Sequence, residues 1–261
     1  MSNLTIRFYS NSLQRYTTFQ MIIPNDIRNG VPREETEYSR RKMKTLFLLH
    51  GYTGDAGNWV PEYLCEKYNF AVVIPSGENA FWLDGISTGH KFCSFLGEEL
   101  LGYVRNTFGL AESREDTCIM GLSMGGFGAL HTALYYPENF GKAAGLSSAL
   151  IVHKVAEMTE GSVDPHGNYE YYRECFGEPS KLLESDNNPE TLVKKIKREG
   201  RPMPEILLCC GTEDFLLENN RQMHEFLERE NVEHIYEESA GNHDMEFWSR
   251  YTEKFIPLMF G

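Results

Sequence analysis

The sequence predicts an α/β fold, a mainly parallel, twisted sheet with helices on both faces. Two observations carry this. Apolar, β-branched runs alternate with helical stretches along most of the 261 residues, as they do where helical crossovers link parallel strands. One of those runs, Thr117-Cys118-Ile119-Met120, leads directly into Gly121-Leu122-Ser123-Met124-Gly125-Gly126 and then into a helical stretch from Phe127. Strand, glycine-flanked turn and helix thus follow one another without a spacer.

Taken in order, segments 4–9 and 17–23 alternate apolar and polar residues and open the sheet as antiparallel strands. A polar, charged connection spans 25–42, with a mobile centre. Strands at 45–50, 70–75, 116–121 and 142–147 then alternate with helices around 56–68, around 89–108 and after Ser123. Further strands fall at 205–210 and 233–238, and a last helix starts at Met245. The hydrophobic fraction of 41% is enough for one substantial core, so residues 1–261 read as a single domain. Segment 150–204 breaks the alternation. It holds Asp164-Pro165-His166-Gly167-Asn168, the aromatics Tyr169, Tyr171, Tyr172 and Phe176, and a basic helical stretch over 192–199. Two readings stand for it, a small cap insertion over a pocket and a connector packed at the sheet edge.

Gly-x-Ser-x-Gly between a strand and a helix is the nucleophile elbow of an α/β-hydrolase. The turn pushes the Ser123 hydroxyl clear of the sheet, and side chains at Gly121 or Gly125 would collide with the neighbouring strand and helix. A serine needs a neutral imidazole to take its proton and a carboxylate to orient that imidazole. In this fold the chain order is Ser, then Asp or Glu, then His. The buried-strand pattern 205–210 ends in Gly211-Thr212-Glu213-Asp214-Phe215, which puts Asp214 where the acid belongs and leaves Glu213 as a solvated neighbour. After the last strand, Ser239-Ala240-Gly241-Asn242-His243-Asp244 carries His243 as the base.

The negative charge that develops on a carbonyl oxygen requires preorganised N–H donors. One is the amide of Met124, next to the nucleophile. The second comes from the loop His50-Gly51-Tyr52-Thr53-Gly54; it is assigned to Tyr52, with Gly51 as the competitor and as the point where backbone can approach substrate. The other histidines lack the order and loop placement of His243. His50 shapes the loop beside the site, His131 points away from it along its helix, His224 is a surface position and His234 belongs to a strand. The geometry of His90, His153 and His166 is not fixed by the sequence.

These stretches, together with Asn58-Trp59, Gly211-Thr212-Glu213-Asp214 and Gly241-Asn242-His243-Asp244, resemble the esterase D-like family. That family includes tributyrin esterases, feruloyl and acetylxylan esterases, S-formylglutathione hydrolases and mycolyltransferases, and the likeness is closest to the bacterial tributyrin-esterase branch. It runs from the first strands to the last helix. The resemblance implies that Pro75-Ser76-Gly77-Glu78-Asn79-Ala80-Phe81-Trp82-Leu83-Asp84 walls the pocket, with Trp82 near the acyl or alcohol group. An aromatic plug is the alternative for Trp82. Two departures stand out: S-formylglutathione hydrolases carry a cysteine where this chain has Thr53-Gly54, and the signal peptide of secreted mycolyltransferases and many feruloyl esterases has no counterpart here.

The formal charge of -13 argues against nucleic acid or an anionic membrane surface as partner. No apolar run approaches the ~20 residues of a membrane span. The six cysteines form no metal-ligand spacing and several, within predicted strands or helices, read as buried thiols, which suits a cytoplasmic location. A homo-oligomer is neither required nor excluded. The expected activity is that of a serine carboxylesterase acting on short-chain, small-molecule esters through an acyl-enzyme on Ser123, with no metal or cofactor. Alternatives are a feruloyl or acetyl esterase acting on plant-derived esters, an acyltransferase, and a catalytically inactive hydrolase-like binding module.

Overall fold

A computed structural model describes residues 1–26 and 36–261. The centre of the 25–42 connection lies outside the described residues. The chain forms β1 (Ser2–Ser10), β2 (Arg15–Ile23), β3 (Lys44–Leu49), β4 (Phe70–Pro75), β5 (Thr117–Leu122), β6 (Lys142–Leu146), β7 (Glu205–Gly211) and β8 (His234–Ser239), joined in one eight-stranded sheet of order β1-β2-β4-β3-β5-β6-β7-β8. The β1–β2 and β2–β4 pairings are antiparallel and all others are parallel. The opening hairpin therefore extends an otherwise parallel sheet at one edge. Its outer strand alternates half-buried and exposed positions, whereas β4 and β5 are buried at every residue, as strands covered on both faces must be.

Side-chain alternation splits the central strands between two cores. Phe47, Leu49, Val73 and Ile119 pack with Phe127 and Leu130 of α4 (Met124–Tyr135) and with Phe95 and Leu101 of a long helical run. That run comprises α2 (Phe92–Ser94), a π-helical turn (Phe95–Leu100) and α3 (Leu101–Phe108). Leu46, Leu48, Val72 and Met120 face the other way, onto Leu64 of α1 (Glu62–Tyr68) and Phe255 and Ile256 of the C-terminal helix (Met245–Phe260). The helix expected over 56–68 is shorter than the sequence suggested. Asn58 brackets Val60 with its side chain, accepting from the Val60 N–H at 3.0 Å and donating to its carbonyl at 2.9 Å. Pro61 then takes the N-cap position. Segment 150–204 forms α5 (Val152–Ala156), α6 (Tyr169–Phe176), a 3-10 turn (Pro179–Glu184) and α7 (Pro189–Glu199); α8 (Leu217–Arg229) follows β7.

The C-terminal helix, α9, follows immediately on the loop that carries His243, so its docking sets that loop. At its far end the Phe260 ring stacks on Phe70 of β4, with centroids 4.1 Å apart and planes 8° from parallel. Phe260→Ala is expected to cost about 3–5 kcal/mol in urea unfolding, the range for emptying a buried aromatic site. Esterase activity measured well below the unfolding midpoint should survive. A loss under about 1 kcal/mol would mean that this stack does not anchor the helix.

Candidate active site

Ser123 occupies the turn between β5 and α4 with φ 54° and ψ −119°, a conformation that costs a non-glycine residue about 1–3 kcal/mol. The surroundings over-determine it. The Ser123 N–H donates to the Leu146 carbonyl at 2.8 Å, and its own carbonyl accepts from the amides of Phe127 at 3.1 Å and Ala149 at 2.9 Å. A Cβ on Gly121 would lie 2.1 Å from the Gly125 carbonyl oxygen, and one on Gly125 would lie 2.1 Å from that of Leu49. Only glycines allow the strand and helix to meet so closely that the serine stands proud between them.

The loops after β7 and β8 bring the next two groups. The Ser123 hydroxyl lies 2.9 Å from His243 Nε2, and His243 Nδ1–H donates to Asp214 Oδ2 at 2.8 Å. Asp214 Oδ1 accepts the Leu216 N–H at 2.8 Å. The Asp214 side chain is fully buried. Burial pushes its pKa up, but the hydrogen bonds from His243 and Leu216 outweigh it, and the net shift is downward. The carboxylate therefore stays ionised and fixes the imidazole with a bare Nε2 facing the serine. Two aromatics hold the ring from the sides: Phe215 at 4.5 Å and Trp248 edge-on at 4.8 Å.

The loop after β3 also meets Ser123. Gly51 touches the serine so closely that a Cβ there would sit 3.2 Å from that of Ser123 and 2.9 Å from Leu122 Cδ1. Tyr52 and Met124 both border the cavity. Among the described residues, neither backbone N–H has a protein acceptor.

The cavity measures about 970 Å³ and is bordered by Ser123 and His243, by the 50–59 loop, by Phe81 and Phe215, and by Lys154, Asp164, His166 and Tyr172 from segment 150–204. That segment divides its work. Its first half forms a side wall of the cavity, tied to the 50–59 loop by a hydrogen bond from the Tyr52 hydroxyl to the His166 carbonyl at 2.8 Å. Its second half packs α7 against α4.

The family model described as "Putative esterase" matches residues 10–257. The chain belongs to this esterase family. It is 40% identical over 263 residues to the acetyl esterase of Caldicellulosiruptor saccharolyticus, covering 99% of this chain and 98% of that protein. Among solved structures it is similar to an S-formylglutathione hydrolase of Staphylococcus aureus, with a TM-score of 0.81, 25% identity, and coverage of 100% of this chain and 99% of that one. A fluorophosphonate-binding serine hydrolase of the same organism shares the fold with a TM-score of 0.83 and 24% identity, covering 100% and 98% of the two chains. The fold is that of the α/β-hydrolases, and this esterase is a carboxylic ester hydrolase.

Trp82 departs from the expectation that it touches the acyl or alcohol group. Its indole is fully buried and does not border the cavity. It packs where Gly77 and Gly128 leave space, such that a Cβ on either would come within 2.6 Å of the ring, and its Nε1–H donates to the His50 carbonyl at 3.3 Å. Both Phe81 and Trp82 have positive φ, 51° and 58°; the chain twists there, so that Phe81 rather than Trp82 borders the cavity. Glu213 is exposed but not idle. It accepts the Gly241 N–H at 2.5 Å and the Thr212 hydroxyl at 2.8 Å, which pins the Asp214 loop to the His243 loop.

The remaining histidines have structural partners. His131 is buried, with Nε2 at 2.9 Å from the Asp186 carbonyl, and burial brings its pKa down to about 4. His224 is half-buried rather than on the surface, because it pairs with His234 at 2.7 Å and stacks on Tyr236. No local pattern points to Asn220, whose buried amide clamps the turn after β6 through the Ser148 N–H at 3.2 Å and the Ser148 carbonyl at 2.9 Å. All six cysteines are free and buried.

Asp164 anchors the cavity wall. Burial pushes its carboxyl up, but the Lys154 ammonium, the His166 and Gly167 amides and the Tyr172 hydroxyl outweigh this and bring it down to about 2. That lies below the ~3.9 of an unfolded aspartate. The stabilisation it brings is therefore present above about pH 4 and is lost as pH falls towards the folded-state value. Asp164→Asn should lower unfolding free energy near neutrality, and the gap to the native protein should narrow between about pH 5 and pH 3. A gap that stays constant with pH would place its origin in packing rather than charge.

Proposed function

We propose that this esterase hydrolyses short-acyl esters, acetyl esters foremost, through an acyl-enzyme on Ser123, with Asp214 and His243 completing the catalytic triad. What supports this reading most is the unbroken row of hydrogen bonds from the Ser123 hydroxyl through His243 to buried Asp214. As Ser123 Oγ attacks the ester carbonyl, its proton passes to His243 Nε2. The imidazolium that forms is stabilised by the Asp214 carboxylate, and the oxyanion is received by the amides of Tyr52 and Met124. Collapse of this intermediate expels the alcohol, which takes the proton back from His243. Water then repeats the sequence on the acyl-enzyme and frees the acid. Each step uses this chain's own groups.

The acetyl preference rests on the relative named as an acetyl esterase. A second reading, hydrolysis of aromatic acyl esters such as ferulates, draws on the cavity border, where Tyr52, Trp59, Phe81, Tyr172 and Phe215 offer ring faces. Six unpaired, buried thiols favour residence in a reducing cytoplasm, and among the described residues no helix is long and apolar enough to cross a membrane.

Steady-state kinetics on p-nitrophenyl esters from acetate to decanoate, with methyl ferulate alongside, tests the proposal. kcat/KM should peak at acetate or butyrate and fall steeply by decanoate, and Ser123→Ala should lower kcat by about 10⁶ without unfolding the protein. A maximum at decanoate would overturn the short-acyl reading, and one at ferulate would favour the second. Activity retained by Ser123→Ala would overturn the acyl-enzyme.

A further inference from the structure

The protonation of His50 is fixed by its two neighbours. Its Nε2 lies 2.9 Å from the Gly77 N–H, a group that can only donate, so Nε2 carries no proton. Its Nδ1 lies 2.7 Å from the Gly51 carbonyl, which can only accept, so the proton sits on Nδ1. The ring is the neutral Nδ1–H tautomer. Its burial, which pushes the pKa down against the Gly51 hydrogen bond and the Asp55 charge, keeps it so.

The carbonyl held by Nδ1–H belongs to the peptide whose N–H is that of Tyr52. The Gly54 N–H reaches the same oxygen at 3.0 Å. In a planar trans peptide the C=O and N–H point in opposite directions. Two donors on the Gly51 oxygen therefore set the orientation of the whole Gly51–Tyr52 plane and turn the Tyr52 N–H away from His50 and Gly54. His50 is in turn held at its other end. The Trp82 indole donates to its carbonyl at 3.3 Å, and the two rings lie 5.1 Å apart.

We propose that His50 is a positioning residue which aims the Tyr52 N–H at the developing oxyanion by holding the Gly51 carbonyl, with Trp82 behind it as a rigid support. This rests on the role given to the Tyr52 amide above. His50 itself neither touches substrate nor transfers a proton; it restricts the rocking of one peptide plane. A donor that is already aligned costs no reorganisation when charge develops.

Two substitutions separate this role from a merely structural one. The amide of Asn superimposes on the Nδ1 side of an imidazole and can still donate to the Gly51 carbonyl. The amide of Gln reaches the Nε2 side and can still accept from Gly77. His50→Gln should lower kcat by about 10- to 100-fold, less than outright deletion of an oxyanion donor, with KM within about twofold of the native value because ground-state binding is untouched. His50→Asn should retain most of kcat even if its thermal midpoint falls further. Rates are taken per active site titrated with a fluorophosphonate, so partial unfolding does not enter. Retention of kcat by His50→Gln, a lower kcat in His50→Asn than in His50→Gln, or losses confined to KM or thermal stability would overturn the proposal. Nitrogen-15 NMR of the native enzyme reads the His50 tautomer without any variant, and a ring protonated at Nε2 would overturn it as well. A native protein that hydrolyses no ester in the panel would instead defeat the underlying functional reading, and the two failures are distinguishable.

Discussion

Everything at the site depends on the backbone of one residue. Ser123 is held at φ 54°, where an L-residue does not stay unless its neighbours compel it. The compulsion comes from three strands at once. β5 delivers the serine, the end of β6 accepts its amide through Leu146, and the end of β3 leaves no room for a side chain on Gly125. The parallel order that places β3 and β6 on either side of β5 is what brings these constraints to one point. It also gathers the loops after β3, β7 and β8 at the C-terminal ends of the strands, where an open α/β sheet binds its ligands.

From that point the site is assembled by short, mutually dependent contacts. Asp214 is anchored by the Leu216 amide and aims His243. Glu213, one residue earlier, ties down Gly241, so the Asp214 loop also sets the backbone of the His243 loop. Phe215, one residue later, covers one side of the imidazole while Trp248 of α9 meets it edge-on. Three consecutive residues of one loop thus orient, tether and shield the same histidine. This leaves the imidazole little rotational freedom, and proximity contributes to rate only when such freedom is already lost.

Much of this was legible in the sequence, for a physical reason. Ser123 and Asp214 lie at or just beyond the C-terminal ends of continuous apolar runs, and His243 lies a few residues beyond an alternating one; both patterns locate strand ends to within a residue or two. The opening hairpin and the alternation through β6 were legible for the same cause. The placement of Trp82 was not. An aromatic shortly after a strand reads alike whether it turns up into the cavity or down into the core. What decides is the space left by Gly77 nearby and Gly128 on α4, a residue distant in sequence. The pairing of His224 with His234 and the clamp made by Asn220 escaped for that reason too, since each partner is supplied by the fold rather than by the local pattern. Helix α1 began late because Asn58 and Pro61 claimed backbone that the hydrophobic pattern alone would have given to the helix.

On the proposed mechanism Ser123, poised by this elbow, carries the acyl group between the two halves of the reaction. The most direct test is to mix the enzyme with p-nitrophenyl acetate, quench in acid within the first turnovers and map the acetylated peptide by mass spectrometry. Acetate should be found on the peptide containing Ser123, appearing with the burst of nitrophenol and vanishing as hydrolysis completes. Acetate on any other residue, or steady turnover with no acetyl-enzyme on Ser123 even when deacylation is slowed, would contradict the account.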